Sequence, residues 1–160
     1  MDEQAPITEI LESQHRWVDG RFERFRELLA SNQVDGSPFD EAAKALHRHM
    51  YLEEEIIFPE VEARGLMGPT QVMAREHGEI CRFMNSIQDL VAGKAPPGQI
   101  LDSLNAVRNL LEQHNLKEEE ILYPSADQLL AGPDLPQVLE RLNEAQPPAD
   151  WSCRADRGEV

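Results

Sequence analysis

Two stretches of the sequence place histidine and glutamate side chains in the same pattern, 65 residues apart. The first is HMYLEEEIIFP, from His49 to Pro59, and the second is HNLKEEEILYP, from His114 to Pro124. In both, a glutamate follows the histidine by four residues, so the two side chains lie about 40° apart around an α-helix and share one face. Imidazole and carboxylate groups on one face are metal donors. A single such pair is usually a surface ion pair, but its duplication favours a buried site.

The helix faces that carry Glu53 and Glu118 are apolar elsewhere, which predicts that both glutamates point inward. The apolar residues on these faces are Ala42, Ala45, Leu46, Ile56, Val107, Leu110, Leu111 and Ile121. The next two residues of each glutamate triplet are rotated by about 100° and 200° around the helix. We therefore expect solvent exposure for Glu54, Glu55, Glu119 and Glu120.

Two further histidines, His15 and His77, lie inside apolar stripes of their own segments, at an offset of 62 residues. Each of four predicted helices thus delivers one inward histidine. Burying these groups without a neutralising partner would cost about several kcal/mol for each unpaired ion. A bound metal ion would remove that cost. The predicted metal ligands are His15, His49, Glu53, His77, His114 and Glu118. Four imidazoles and two shared carboxylates suit a pair of octahedral ions with open coordination positions.

Three neighbouring residues are candidates for contacts behind these ligands. Asp19 and Cys81 each follow a histidine by four residues, and Met73 precedes His77 by four. Asp19 would be a third carboxylate of the site, accept a hydrogen bond from an imidazole, or face solvent. Cys81 would be a redox partner, an extra ligand or a small buried apolar residue, and Met73 would pack in the core or wall a substrate pocket. His47 is rotated by about 200° from His49 and is predicted to face outward.

Helix start and stop signals divide the chain into four long segments and one short one, and no segment reads as a strand. The predicted helices cover about 6–30, 37–65, 69–93 and 98–132, followed by a short helix over 135–142. Pro59 and Pro124 fall inside two of them and predict kinks. This pattern predicts an all-α fold, an antiparallel up-down-up-down four-helix bundle over 1–145. Residues 146–160 are predicted to form a flexible or loosely docked tail.

Composition narrows the classes of partner. The 160 residues suffice for one domain, and 15 basic against 30 acidic residues give a formal net charge of −15. Such a chain repels phosphate backbones and anionic membrane surfaces, while 41% hydrophobic residues exceed what a disordered acidic segment carries. The two cysteines form no C-x-x-C motif, and the start of the chain has no secretion-signal pattern. We expect a cytoplasmic protein with no nucleic-acid or membrane partner.

The sequence resembles the hemerythrin-like, or HHE cation-binding, family over about residues 6–132. The matching elements are His15, the string from His49 to Pro59, the dipeptide Glu76-His77 and the string from His114 to Pro124. The resemblance implies a non-haem di-iron centre with an oxo or hydroxo bridge in a four-helix bundle. It further implies that His15 and His49 hold one iron, that His77 and His114 hold the other, and that Glu53 and Glu118 bridge them.

The ligand set differs from that of the oxygen-carrying hemerythrins. Those proteins have a fifth histidine where this chain has Met73, and an aspartate five residues after the last histidine, where this chain has Glu118 at four. Four histidines with two glutamates resemble members that repair iron centres under nitrosative stress, and the iron-sensing domain of a eukaryotic F-box protein. The resemblance therefore implies reaction with O₂, NO or peroxide, which includes oxidoreductase activity. An iron- or oxygen-sensing or iron-donating module, with a protein partner, and reversible O₂ binding remain as alternatives.

Overall fold

The computed structural model describes residues 4–160, which are all-helical and contain no strand. The first three residues of the predicted 1–145 domain lie outside the described residues. Seven α-helices and two π-helical turns follow one another within residues 4–160. Their bounds are α1 Pro6–Ala30, α2 Ser37–Leu52, a π turn Glu53–Ile57, α3 Phe58–Ala63, α4 Gly68–Ala92, α5 Pro97–Lys117, a second π turn Glu118–Leu122, α6 Tyr123–Leu129 and α7 Leu135–Glu144. The predicted all-α class is confirmed, and the long helices form a helical bundle.

Local sequence signals set the ends of these helices. A proline occupies the first turn of α1, α2, α4 and α5, where its missing N–H costs no helical hydrogen bond. The segment from α2 to α3 ends at Gly65, whose φ of +97° lies in the left-handed region that a glycine adopts without strain. The N–H of Leu66 then donates to the carbonyl of Val61 and closes the helix end.

The predicted kinks at Pro59 and Pro124 take the form of π turns. In each, the helix widens so that a backbone N–H donates to a carbonyl five residues earlier: Phe58 donates to Glu53, and Tyr123 donates to Glu118. The proline that follows cannot donate at all, which ends the widened register. Both π turns begin at the glutamate that the sequence predicts as a ligand.

Two apolar clusters make up the core, and the buried histidines lie between them. One cluster contains Leu11 and Ala74, and the other contains Val18 and Ile80. His15 falls between Leu11 and Val18 along α1, and His77 falls between Ala74 and Ile80 along α4. Helix α1 packs against α2 and α5, and α4 packs against α5. The bundle therefore holds a polar layer in the middle of an apolar interior.

The C-terminal tail, residues 146–160, lies against the bundle. The indole of Trp151 packs edge-on against the rings of His47 and Tyr51, at centroid distances of 5.1 and 5.4 Å. Its Nε1 donates to Glu55, and Cys153 is 1% exposed. No local pattern in the sequence predicts these contacts, and the domain boundary at 145 stays a prediction. Across residues 4–160, no helix combines the length and the apolar composition required to cross a membrane.

Candidate metal centre

All six predicted ligands meet in the buried polar layer. None is more than 7% exposed, and Glu53, His77 and Glu118 have no exposed surface. The donor atoms form two overlapping groups, in each of which all atoms lie within 4.8 Å of one another. One group is His15, His49 and Glu118, and the other is Glu53, His77, His114 and Glu118. Because Glu118 belongs to both groups, its carboxylate lies where a bridge between two ions would be.

The group around His77 and His114 is organised by the two glutamates. The Nε2 atom of His77 lies 3.1 Å from Oε1 of Glu53 and 4.0 Å from Oε2 of Glu118. The Nε2 atom of His114 lies 3.3 Å from Oε2 of Glu118. Both imidazoles therefore present the same ring nitrogen to the space between the carboxylates.

The group around His15 and His49 presents its donors in the same way. Their Nε2 atoms lie 3.0 Å apart, and Oε1 of Glu118 lies 3.2 Å from His15 and 3.9 Å from His49. The Nε2 atom of His49 also lies 3.3 Å from Oε1 of Glu53, the oxygen that approaches His77. Glu53 thus reaches both groups, as the predicted bridging role requires.

Unpaired polar atoms at the centre fit a cation. Oε1 of Glu53, Oε2 of Glu118 and Nε2 of His77 are buried and make no hydrogen bond. Leaving a buried polar atom unsatisfied costs about 1–3 kcal/mol, so three such atoms directed at one space need an electrophilic partner. A metal ion supplies that partner, and imidazole nitrogen with carboxylate oxygen is a donor set that iron accepts.

The electrostatics of the histidines agree with this fit. Burial lowers the pKa of His49 and of His77, but the neighbouring carboxylates outweigh it and raise both pKa values to about 9. Burial also lowers the pKa of His114, but the nearby carboxylates, above all Glu118, raise it to about 10. The surrounding carboxylates thus favour positive charge at the centre. A bound cation would take the place of these protons.

Three of the histidines are held from behind through Nδ1. His77 donates to Oε2 of Glu54 at 2.6 Å, and His114 donates to Oε1 of Glu76 at 2.8 Å. His49 donates to the amide oxygen of Gln14 at 2.6 Å. A proton on Nδ1 leaves the lone pair of Nε2 free for a metal, and it fixes the orientation of each ring.

Glu54 is a correction to the sequence analysis, which predicted exposure. Its side chain has no exposed surface, because the tail covers it. The backbone N–H of Arg154 donates to Oε1 of Glu54 at 2.7 Å, and Nη2 of Arg154 donates to its carbonyl oxygen at 3.1 Å. That carbonyl is the one that would accept from residue 59 in the π register, and Pro59 has no N–H to give. The tail thus satisfies both polar groups of Glu54.

Tyr123 is a member of the site that the sequence analysis missed. Its hydroxyl donates to Oε2 of Glu53 at 2.8 Å and to Oε1 of Glu118 at 3.1 Å. It also lies 3.0 Å from Nε2 of His15 and 3.2 Å from Nε2 of His49. In a regular α-helix, a residue five places after Glu118 would lie about 140° away, whereas the i to i+5 register of the π turn stacks Tyr123 above it.

The repeat puts Phe58 at the position equivalent to Tyr123. Its ring stacks on the imidazole of His77 at a centroid distance of 5.8 Å and an angle of 14°. A comparison of the two repeats shows an aromatic residue before each proline, and only one of the two carries a hydroxyl. That comparison was the available signal for Tyr123, although it could not show the direction of the ring.

The other candidate residues lie outside the two donor groups described above. Asp19 is 69% exposed and forms an ion pair with Arg108 at 2.8 Å, which matches the solvent-facing alternative. Met73 is buried in the apolar cluster with Leu11, and Cys81 is half-buried with its sulfur 3.8 Å from that of Met50.

The residues predicted to be exposed include Glu55, Glu119 and Glu120, of which only Glu120 is fully exposed. Ile121 was predicted to face inward but is 53% exposed, because it lies in the π turn, where α-helical spacing does not apply.

A cavity of about 790 Å³ opens beside one half of the site. Its lining residues include Gln14, His15, Asp19, His49, Arg108 and Glu119. It therefore connects the His15 and His49 imidazoles to the surface, and the Asp19–Arg108 ion pair contributes to its wall. A small molecule can reach this half of the site from solvent.

The family model of the hemerythrin HHE cation binding domain matches residues 6–126. The match covers most of the chain and contains all six predicted ligands, so the chain belongs to the hemerythrin HHE family. The buried histidine and glutamate cluster fits the di-iron type of site and identifies the protein as a metal-binding member. No curated protein and no solved structure matches the chain.

Proposed function

We propose that this protein holds two iron ions within an antiparallel four-helix bundle and reacts with O₂, NO or peroxide, in stress response or iron-centre repair. The observation that carries the proposal is the pair of donor groups that share Glu118. His15 and His49 would hold one ion, His77 and His114 the other, and Glu53 with Glu118 would bridge them. Iron bound there would supply redox chemistry towards these small molecules.

The surroundings of the His15–His49 half support a reactive role. The cavity beside it admits small molecules, and the Tyr123 hydroxyl offers a proton within reach of both imidazoles and both bridging carboxylates. Burial and the neighbouring carboxylates hold the pKa of Tyr123 well above its ordinary value, so the phenol keeps its proton. Its hydrogen bonds to Glu53 and Glu118 would orient the two bridging carboxylates beside the half of the site that the cavity reaches.

The proposed cellular setting is the cytoplasm. Cys81 and Cys153 are both free thiols, which suits a reducing compartment. The net charge of −15 disfavours nucleic acid and anionic membranes as partners. We expect the principal ligand to be a small diatomic molecule or a peroxide.

The test is metal analysis combined with an optical spectrum of the anaerobically reduced, iron-loaded protein before and after O₂, NO and peroxide. We expect about two irons per chain, as the shared donor groups imply, and catalytic consumption of at least one of the three small molecules. Reversible O₂ binding over many cycles without oxidation would instead support oxygen carriage. Chelation should lower the melting temperature, because the ligands are assembled only in the folded chain.

A sensing or iron-donating role is the second candidate, favoured by the contact between the tail and the site. Arg154 holds Glu54, and Glu54 holds His77, so a change at the metal has a direct route to the surface. Iron-dependent binding of a protein partner that is lost on deleting residues 146–160 would support this role. Binding that ignores iron, or that survives the deletion, would contradict it.

A further inference from the structure

The C-terminal tail brings the two cysteines of the chain together. Cys81 lies on α4 and Cys153 lies in the tail, and their sulfur atoms and a carboxylate oxygen of Asp156 all lie within 4.8 Å of one another. Both thiols are free, Cys153 is 1% exposed and Cys81 is half-buried. This pair takes no part in the function proposed above.

The close approach depends on a glycine one turn before Cys81. A Cβ atom added to Gly78 would lie 2.6 Å from the Cβ of Ala155, so any larger residue at 78 would push the tail away from α4. Arg154 reinforces the approach, since its guanidinium donates to both carboxylate oxygens of Glu62 at 3.0 and 3.1 Å. The position of Cys153 is therefore set by an ion pair and by close packing at the two residues that follow it.

The two sulfurs have the electronic and steric conditions for thiol chemistry. The nearby Cys81 thiol lowers the pKa of Cys153, and the same proximity raises the pKa of Cys81. Cys81 also lines a cavity of about 450 Å³, together with His47, Met50 and Met84. A small oxidant in this cavity is next to one sulfur and within a few ångströms of the other.

We propose that Cys81 and Cys153 are an oxidation site at which hydrogen peroxide joins the tail to α4 through a disulfide. A sulfur–oxygen bond forms at Cys153 as the peroxide O–O bond breaks, which yields a sulfenic acid and one water. The sulfur of Cys81 then displaces that oxygen, which leaves as a second water with the thiol proton. Two thiols are oxidised and one peroxide is reduced to two waters.

A metal ion explains the pair less well than a disulfide does. Structural zinc sites use four ligands, and this cluster supplies three donors, of which Asp156 is exposed. A disulfide needs only the two sulfurs and a small movement of the tail. The bond would also tie the tail permanently to α4, next to the Arg154–Glu54–His77 contacts that lead to the candidate metal centre.

The experiment counts thiols in the iron-loaded, full-length protein after reduction and removal of the reductant. One sample receives hydrogen peroxide, and a parallel sample receives diamide, which oxidises thiols without iron. We expect the denatured protein to lose both titratable thiols and the mass of two hydrogens, to yield a peptide linking Cys81 to Cys153, and to remain monomeric. Two surviving thiols after native diamide treatment, or a disulfide-linked dimer, would overturn the proposal.

Matched variants separate this site from the alternatives. Cys81→Ser and Cys153→Ser should each keep one thiol and give no internal link. Asp156→Asn should form the disulfide as readily as the wild type. If zinc protected both thiols of the wild type from oxidation but not those of Asp156→Asn, the cluster would be a cation site instead. The oxidised protein should melt on the order of 5–10 °C higher than the reduced one, because the bond closes a long loop. An unchanged or lower melting temperature would show that the native geometry opposes the bond.

The outcome is independent of the proposed iron chemistry. If diamide formed the Cys81–Cys153 disulfide in a protein whose iron did not react with O₂, NO or peroxide, the thiol site would be supported and the proposed function contradicted. Iron-dependent turnover in a chain whose thiols stay reduced would do the opposite.

Discussion

The two halves of the candidate metal centre come from the same repeat but have different surroundings. Behind His77 and His114 stand two carboxylates, those of Glu54 and Glu76. Behind His49 stands the neutral amide of Gln14. A carboxylate makes an imidazole a stronger donor than an amide does. The Nδ1 atom of His15 lies 3.6 Å from a carboxylate oxygen of Glu119 and makes no hydrogen bond. In the proposed di-iron centre, the His77–His114 half would therefore hold its ion more firmly.

Access from solvent favours the other half of the centre, which contains His15 and His49. The cavity of about 790 Å³ reaches His15 and His49, and the Tyr123 hydroxyl lies beside both. On the other half, the Phe58 ring stacks on His77 and the tail covers Glu54. Duplication thus gave two similar donor groups, and the residues around them make one half closed and the other accessible. Under the proposed function, the closed half would hold its ion while the open half would meet the small molecule.

The largest expected effect is the loss of iron on removing one histidine from either half. His49→Ala and His114→Ala should each lower the iron content to one ion per chain or fewer, as measured by metal analysis after anaerobic loading. His47→Ala is the control, because His47 lies outside the donor groups. Equal iron loss in all three variants would refute the assignment of the inward faces. A larger residual iron content in His49→Ala than in His114→Ala would sharpen the difference between the halves.

The hydrogen bonds behind the ligands provide the next test. Glu54→Gln keeps the shape of the side chain but removes its charge, and we expect a loss of metal affinity on the order of 10–100-fold at the His77–His114 half. Gln14→Ala, on the other half, should cost less, because a neutral amide is lost. Competition titration with a chelator measures both affinities. A larger effect for Gln14→Ala would reverse our ranking of the halves.

Removal of the tyrosine hydroxyl tests the open half. Tyr123→Phe should destabilise the metal-free protein by about 1–3 kcal/mol, because Glu53 and Glu118 lose a buried donor. Tyr51→Phe is the matched control, since the Tyr51 hydroxyl makes no hydrogen bond among residues 4–160. Urea unfolding measures the free energy of unfolding of both variants. If Tyr123→Phe were as stable as Tyr51→Phe, the phenol would contribute nothing to the site without metal.

The smallest effects concern the tail, which covers only the closed half. Gly78→Ala should displace the tail, with a net loss of about 1 kcal/mol, because the gain in helix propensity partly offsets the lost contacts. Gly20→Ala, in the interior of α1, meets no atom within 4 Å and should stabilise by up to about 1 kcal/mol. Urea unfolding measures both free energies, and tryptophan fluorescence of Trp151 follows the docking of the tail. If both variants raised the free energy of unfolding, Gly78 would not be needed for the close approach of the tail.

The sequence was sufficient to identify the six residues that meet in the buried polar layer, because their spacing repeats and their helices are regular up to each glutamate. It was insufficient beyond that point. Periodicity arguments assume about 100° per residue, and the π turns break that assumption. Ile121 was placed inward and Tyr123 was missed for that single reason.

The burial of Glu54 was mispredicted for a different reason, which is its contact with a segment far away in the sequence. The segment around Trp151 has no periodicity, and its partners Glu54, Glu62 and Gly78 lie 70 or more residues away in sequence. Nothing local to either segment indicates that they meet. The burial of Glu54 follows only once the tail is placed on the bundle.

The two π turns give both repeats the same backbone frame. Each begins four residues after its histidine, and each brings the residue five places after the glutamate onto the side of that glutamate. One frame presents a phenol to the carboxylates, and the other presents a phenyl ring to an imidazole. A single oxygen atom therefore separates a hydrogen-bonding position from an apolar one in two otherwise equivalent places.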